Sequence, residues 1–204
     1  MSLDLWLAFL AASALLLMIP GPTVLLVTSY ALSQGRRVAV AMALGVALGD
    51  LIALSASLAG LGALVLTSAT LFTVLKWAGA AYLVYLGLRL WRNPPVADTG
   101  EMAPKPARAI FWHAAAVTAL NPKSIGFFIA FVPQFLRPEA PLVPQFAIIT
   151  ASFVALAALN ALTYALLADR LRARLRPAIL RRISRAGGGA LIGMAALSAT
   201  ASRT

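Results

Sequence analysis

The feature that most constrains this chain is a helix breaker, Pro20-Gly21-Pro22, in the middle of an apolar run over residues 5–32. Proline lacks a backbone N–H group and clashes with the preceding helical turn, so backbone polar groups become free at the break. If the run crosses a bilayer, lipid cannot bind those groups, and protein, water or a ligand must do so. A second break, Asn121-Pro122, lies in the first long apolar run of the C-terminal half. Paired interruptions in corresponding segments are typical of the binding site of a transporter.

The composition indicates a chain that resides in a lipid bilayer. Of its 204 residues, 61% are hydrophobic and 11% are charged, whereas a soluble domain carries roughly a quarter charged residues. The chain has no cysteine and a single histidine, His113, so it offers no thiol nucleophile, no disulfide framework and no histidine cluster for a metal ion. Much enzyme chemistry is thereby excluded, and the sequence predicts neither an enzyme nor a bound metal or cofactor.

Six charge-poor stretches of about 20 residues are long enough to cross the hydrocarbon core as helices. The predicted fold class is an all-α integral membrane protein with about six transmembrane helices, near residues 5–32, 38–66, 71–90, 110–136, 143–167 and 186–199. The last stretch is short and begins at three glycines, so a five-span chain is the alternative. Halves with three spans each cross the bilayer in opposite senses. Residues 1–92 and 110–204 are therefore predicted to form two inverted three-helix repeats, joined by a polar cytoplasmic linker over residues 93–109.

The basic residues predict the orientation of these spans. Most lysines and arginines lie in the first, third and fifth connections, including Arg36, Arg37 and the arginine-rich segment 170–185. The positive-inside rule places these connections in the cytoplasm and both termini outside. Topology and contact with anionic lipid then explain the net charge of +11, without a nucleic-acid partner. Because the first basic residue is Arg36, we expect the first apolar run to be retained rather than cleaved as a signal peptide.

Two ionisable residues are predicted to lie near the bilayer midplane. Asp50 lies twelve residues past Val38, and Lys123 lies twelve residues past Phe111, each in a span entered from the cytoplasm. That spacing corresponds to roughly 18 Å of helix in a hydrocarbon core about 30 Å thick. Charged side chains at this depth cost about 2.5–3.5 kcal/mol each and are functional candidates by default. The similar depths suggest that the two side chains could meet.

Two interpretations of Asp50 and Lys123 are open. They could neutralise each other as a structural ion pair. Alternatively, they could bind a zwitterion together with the backbone groups freed at the two breaks. Helix N-termini just after Pro22 and Pro122 would then favour its carboxylate, while unwound carbonyls and Asp50 would favour its ammonium group. Asp50 could also carry a coupling proton.

Four further polar residues have two interpretations each. Gln134, in the sequence Phe131-Val132-Pro133-Gln134-Phe135, could belong to an outer gate or simply mark the end of a helix. Lys76 could line the path or extend its long side chain to the outer interface. Asn160 and Tyr164, one turn apart in the fifth span, could line the path or form interhelical hydrogen bonds.

Two pairs of glycines are spaced for close helix packing. Gly45 and Gly49 form one small-xxx-small pair, and Gly189 and Gly193 form another. Such pairs allow helices to approach closely in lipid. We interpret them as packing positions, which leaves a homodimer open.

Four stretches together resemble a known family. They are Pro20-Gly21-Pro22; Gly35-Arg36-Arg37 followed by Gly45 and Gly49; Lys76-Trp77-Ala78-Gly79-Ala80-Ala81-Tyr82-Leu83 before Gly87; and Asn121-Pro122-Lys123 with Phe127-Phe128 and Pro133-Gln134-Phe135. In this order, and over nearly the whole chain, they resemble the amino-acid exporters of the lysine exporter (LysE) and homoserine/threonine efflux (RhtB) type. The resemblance implies a small bacterial inner-membrane protein that exports amino acids or their derivatives, driven by an ion gradient. The outward direction of transport rests on the resemblance alone.

The sequence and the resemblance together predict a secondary active exporter. Alternating access is the expected mechanism, with the two halves rocking about a site near residues 20–22 and 121–123. The predicted partners are an amino acid or related small zwitterion, a coupling proton or cation, and membrane lipid. The alternative is a channel or facilitator for a small solute or cation, because a break near the midplane also suits a pore.

Overall fold

The structure is a computed structural model that describes residues 1–19, 21–67, 105–137 and 139–167, with isolated positions between 74 and 92 and between 182 and 196. These residues are helical, and no strand occurs among them. The helices are α1 (Leu3–Met18), α2 (Pro22–Gln34), α3 (Ala39–Thr67), α4 (Ala107–Ala119), α5 (Pro122–Ala130) and α6 (Leu142–Leu166). Two short 3-10 segments, Gly35–Val38 and Val132–Phe135, follow α2 and α5.

The predicted spans compare with these helices as follows. The first span is divided into α1 and α2, and the fourth into α4 and α5, whereas α3 and α6 are continuous over most of the second and fifth spans. Helix α4 begins at Ala107, inside the stretch predicted as linker. The predicted third and sixth spans, the linker over residues 93–104, Pro20 and Lys76 lie outside the continuously described ranges.

Two helical segments of the described chain are long and apolar enough to cross a membrane. They are Pro22–Gly60, with a mean hydropathy of 2.1, and Leu142–Leu166, with a mean hydropathy of 2.0. The first segment turns at Gly35, whose φ of +72° lies in the left-handed region that favours glycine. Gly35 therefore ends α2 and begins the 3-10 turn that carries Arg36 and Arg37.

The two predicted helix breaks are confirmed, and they have the same form. Helix α1 ends at Met18 and α2 begins with Pro22, while α4 ends at Ala119 and α5 begins with Pro122. Proline is well suited to the first position of a helix, because its missing N–H group would have no partner there and its φ is already helical. Pro22 and Pro122 thus interrupt their apolar runs and are the first residues of new helices.

Helix α3 is the packing centre of the described residues and contacts α4, α5 and α6. Gly45 and Gly49 lie on the face toward α4. A Cβ atom at Gly49 would lie 2.6 Å from the Ala115 carbonyl oxygen and 2.6 Å from Thr118 Cβ, and one at Gly45 would overlap the Phe111 carbonyl oxygen. The interpretation of this glycine pair as a close-packing site is confirmed.

A Gly49→Ala variant is expected to be less stable than the wild type by about 1–3 kcal/mol, the usual cost of overpacking, because the backbone of α4 must move away. Gly60→Ala is the matched control in the same helix, since no described heavy atom lies within 4 Å of its added Cβ. Thermal unfolding of the purified proteins in detergent measures both. Equal unfolding temperatures for the two variants would contradict the close α3–α4 contact.

The two broken helix pairs run in opposite directions. At one end, the Lys105 backbone N–H before α4 donates to Gln34 Oε1 at the end of α2, over 3.1 Å. At the other end, the rings of Phe9 in α1 and Phe135 after α5 have centroids 5.4 Å apart. The start of each broken pair, α1–α2 or α4–α5, therefore lies beside the end of the other pair. As a result, the two breaks lie at the same height along the bundle axis.

Candidate functional site

The first break leaves carbonyl groups that are bound by side chains from distant parts of the chain. Lys123 Nζ donates to the carbonyl oxygens of Leu16, over 3.0 Å, and of Ile19, over 2.7 Å. Asn160 Nδ2 donates to the carbonyl oxygen of Leu17, over 3.3 Å. A helix C-terminus carries partial negative charge, so an ammonium group is a favourable partner there. The sequence predicts that carbonyl groups freed at this break need partners, and the Lys123 ammonium group and the Asn160 amide are those partners.

The second break is held against the first by a small polar network. Asn121 caps α5, because its Oδ1 accepts a hydrogen bond from the Lys123 backbone N–H over 3.1 Å. Its Nδ2 group donates to Thr23 Oγ1, over 3.1 Å, at the start of α2. The hydroxyl groups of Thr23 and Thr118 also lie 3.3 Å apart. Residues beside the two breaks are thus joined directly.

A small cavity lies between the breaks, α3 and α6. Its volume of about 20 Å³ has room for one or two water molecules and is too small for an amino acid. Four lining residues in α6 recur at helical spacing and so share one face of that helix. The cavity is lined by Leu17, Thr23, Val24, Val27, Val46, Asp50, Asn121, Lys123, Ser124, Ala157, Asn160, Ala161 and Tyr164.

Asp50 and Lys123 both line this cavity and are almost fully buried, with 2% and 8% of their surfaces exposed. Asp50 Oδ1 accepts no hydrogen bond from the described residues, and the Lys123 ammonium group donates to backbone carbonyls. Asp50 therefore contributes to the cavity lining a buried carboxylate oxygen that has no partner among the described residues.

The side chain of Lys123 lies directly over Gly21. A Cβ atom at Gly21 would approach both Cε and Nζ of Lys123 to 3.3 Å. Glycine at this position therefore leaves the space through which the lysine reaches the end of α1.

The structure brings most of the predicted site residues together. Asp50, Asn121, Lys123, Asn160 and Tyr164 line the cavity, and Gly21 contacts it through Lys123. Pro22 and Pro122 have exposed rings and shape the backbone instead. Pro20 and Lys76 lie outside the described residues.

Gln134 is separate from this group. Its Nε2 donates to the Ala130 carbonyl oxygen, over 3.2 Å, at the end of α5, and it is not a cavity-lining residue. The proline of Val132–Phe135 ends the α-helix there, so the amide satisfies a nearby carbonyl. Gln134 therefore lies at the helix end that the sequence offered as one of its two interpretations, and a gate at this end stays a prediction.

Sequence reasoning missed three polar residues of the site: Thr23, Thr118 and Ser124. Thr23 carried a usable signal, because it follows Pro22 directly and so had to lie at the break. Thr118 and Ser124 flank Asn121-Pro122 in the same way. Hydroxyl groups are common in membrane helices, where they often bond to the preceding turn, and this made them hard to single out.

A cluster of buried aromatic rings lies on the side of the breaks toward the start of α1. Phe127, one turn beyond Lys123, has its ring centroid 5.2 Å from that of Phe131, which in turn lies 5.2 Å from that of Phe135. Phe128 and Phe153 are in edge contact at 4.8 Å. We call the following residues the aromatic cluster: Phe9, Phe127, Phe128, Phe131, Phe135 and Phe153. It fills the bundle on that side of the cavity.

Comparison with known proteins decides the family. The LysE type translocator family model matches residues 14–202. This chain belongs to that family. Its paired breaks and buried charges are therefore features of a LysE type translocator, and the family resemblance found in the sequence is confirmed. Members of this family are efflux transporters and not enzymes.

Three relatives are similar to this chain over about two thirds or more of their own length. A homoserine/homoserine lactone efflux protein of Salmonella typhimurium is 34% identical over 203 residues, covering 98% of each chain. An uncharacterized membrane protein of Vibrio cholerae is also 34% identical, over 98% of this chain and 99% of the relative. A leucine efflux protein of Salmonella typhimurium is 32% identical over 142 residues, or 68% of this translocator and 66% of the relative. No solved structure gives a significant match.

Among the described residues of the translocator, no group of three His, Asp or Glu side chains is placed to hold a metal ion. The ionisable residues that line the cavity in the described part of the chain are Asp50, Lys123 and Tyr164. The chemistry available there is the binding of opposite charges, hydrogen bonding to freed backbone groups, and the carriage of a proton on a carboxylate.

Proposed function

We propose that this protein is a secondary active exporter of neutral amino acids or their derivatives across the bacterial inner membrane, coupled to a proton gradient. The observation that carries the proposal is the meeting of two helix breaks at a buried cavity that contains one carboxylate and one ammonium group. Helix breaks at the midplane are where transporters bind substrates and coupling ions. The relatives named for homoserine and leucine efflux support an amino acid as the solute.

The ends of the broken helices favour a zwitterion in one orientation. Helix α2 begins at the cavity with no side-chain cap, so the amide groups of its first turn favour a carboxylate. The carbonyl groups of Leu16 and Ile19, at the adjacent end of α1, favour an ammonium group. An amino acid that lies across the first break can contact both.

The charge balance of the cavity favours a neutral amino acid over a basic one. With Asp50 ionised and Lys123 protonated, the two cavity charges sum to zero. A zwitterion such as homoserine leaves that balance unchanged, whereas lysine adds an uncompensated positive charge in a medium of low dielectric constant. We therefore assign neutral amino acids to this translocator.

The aromatic cluster and the cavity suggest a closed state in an alternating-access cycle. The cavity is smaller than an amino acid, so the breaks must move apart to admit one. The aromatic cluster closes the side on which α1 begins, which the positive-inside rule assigns to the outside. Proton movement through Asp50 would couple opening to the gradient. A cavity smaller than an amino acid supports this cycle over a permanently open channel.

The arrangement of helices supports the inverted-repeat proposal. Each half opens with a broken helix whose second part begins with proline, then turns through a 3-10 segment and continues as a long helix. The two broken pairs run antiparallel, as inverted repeats require. We retain six spans, cytoplasmic basic connections and external termini as parts of the proposal.

Uptake into inverted membrane vesicles tests the function. We expect radiolabelled homoserine and leucine to accumulate when a proton gradient is imposed, and a protonophore to abolish accumulation. Lysine is the matched control, and we expect little accumulation of it, because of its additional charge. Downhill equilibration of homoserine that the gradient does not alter would favour a facilitator instead.

A further inference from the structure

The ammonium group of Lys123 is held as a bound substrate amine would be held. Its Nζ lies 3.0 Å from the Leu16 carbonyl oxygen and 2.7 Å from the Ile19 carbonyl oxygen. Both distances are those of good charge-assisted hydrogen bonds. Helix α1 ends at Met18, and Pro20, four residues after Leu16, has no N–H group to continue it. The Leu16 carbonyl oxygen also accepts a hydrogen bond from the Ile19 backbone N–H, over 3.2 Å. The site is therefore built from backbone that cannot be lost by substitution.

This position is the negative end of a half-helix inside the bundle, and Lys123 reaches it from another helix over Gly21. The lysine has a flexible four-carbon stem, so its head can leave without moving the backbone. Asp50 Oδ1, in the same cavity, has no hydrogen-bond partner among the described residues. The described part of the cavity therefore contains a second acceptor for an ammonium group.

We infer that Lys123 occupies the ammonium subsite of the empty transporter, and that the substrate's own ammonium group displaces it onto the substrate carboxylate. The inference rests on the proposed export of amino acids and adds an exchange of one ammonium for another at Leu16 and Ile19. The exchange conserves the two hydrogen bonds to the carbonyls. Lys123 then contributes to specificity, because it requires a carboxylate partner when it leaves.

The inference makes a defined prediction for ligands that lack one of the two charged groups. In wild-type protein, 3-aminopropan-1-ol, which is homoserine without its carboxylate, gives the displaced lysine no partner and is expected to bind poorly. In Lys123→Met the two carbonyls lose their ammonium donor, so this amine is expected to bind at least about tenfold more tightly than to wild type, as one charge-assisted hydrogen bond allows. Homoserine is expected to lose affinity by a similar factor.

A third ligand distinguishes an affinity gain that comes from hydrogen bonding from one that comes from charge alone. The trimethylated form of 3-aminopropan-1-ol carries the same positive charge but has no N–H group to donate. We expect it to gain no affinity in Lys123→Met. If it gains as much as the primary amine, the variant responds only to charge and the inference is wrong.

The experiment is a titration of each ligand against purified full-length protein in detergent, read as the shift of the thermal unfolding temperature. The inference is supported if Lys123→Met binds the primary amine more tightly, and homoserine more weakly, than the wild type does. If Lys123→Met loses affinity equally for the primary amine and for homoserine, Lys123 only holds the helices together, and the inference is wrong. Lys123→Gln keeps an N–H donor without the charge, and we expect it to change the two affinities in the same directions by smaller factors. It replaces Lys123→Met in the experiment if the methionine variant does not fold. Wild-type protein that homoserine fails to stabilise would instead refute the proposed function.

Discussion

An Asp50→Asn variant is expected to lose gradient-driven accumulation of homoserine in inverted vesicles while keeping its fold. Asparagine has nearly the same shape as aspartate but cannot carry a proton or a charge at neutral pH. Asp50 Oδ1 accepts no hydrogen bond from the described residues, so the substitution breaks no such contact. Buried carboxylates in membrane proteins are typical proton carriers. Loss of coupling with the fold retained is therefore the expected result, because Lys123 keeps its hydrogen bonds to the carbonyl oxygens of Leu16 and Ile19.

Asp4→Asn is the matched control for this experiment, because Asp4 lies exposed in the first turn of α1, away from the cavity. We expect it to accumulate homoserine as the wild type does. The amount of each variant in the vesicle membrane must be equal before rates are compared. Accumulation by Asp50→Asn at the wild-type level would return Asp50 to a structural role and remove it from the coupling path.

A Lys123→Met variant is expected to lose homoserine transport and also to lower the free energy of unfolding by about 3–5 kcal/mol, the cost of leaving a buried charge without its partner. The substitution removes the donor to Leu16 and Ile19 and leaves Asp50 without its opposite charge. Unfolding of the purified protein in mixed micelles measures the stability, and vesicle uptake measures the transport.

Two further variants isolate the cause of this loss. Lys105→Met removes an exposed lysine and is expected to change stability by less than about 0.5 kcal/mol. The double variant Asp50→Asn and Lys123→Met removes both charges, so it is expected to be more stable than Lys123→Met alone. Additive losses in the double variant would show that the two charges do not interact across the cavity.

The helix breaks could be predicted from sequence because their cause is local. Proline fixes its own φ and removes one donor wherever it occurs, so residues 20–22 and 121–122 had to interrupt their helices. The common depth of Asp50 and Lys123 was also predictable, because helical rise converts sequence spacing into distance. Rise gives depth only. It does not say which way each side chain faces around its helix.

The direction of each side chain had to come from the packed structure. The sequence suggested that Lys123 would pair with Asp50 or with a ligand, and the structure places its ammonium group on the carbonyls of α1. The sequence left Gln134 as an outer gate or a helix end, and in the structure its amide bonds to the carbonyl oxygen of Ala130. The aromatic cluster joins rings from α1, α5 and α6, a contact between distant segments that no single stretch of sequence encodes.

Substrate protection of a single cysteine in the cavity tests most directly whether this cavity is the transport site. The chain has no native cysteine, and Ser124, buried in the lining, can be replaced by cysteine with little change in size. We expect N-ethylmaleimide to label Ser124→Cys in vesicles, and homoserine to slow that labelling. A cysteine at the exposed Ser33 is the control, and its labelling should not respond to homoserine. If homoserine is still transported but leaves the labelling of Ser124→Cys unchanged, the substrate binds elsewhere and the site between the two helix breaks is not the path.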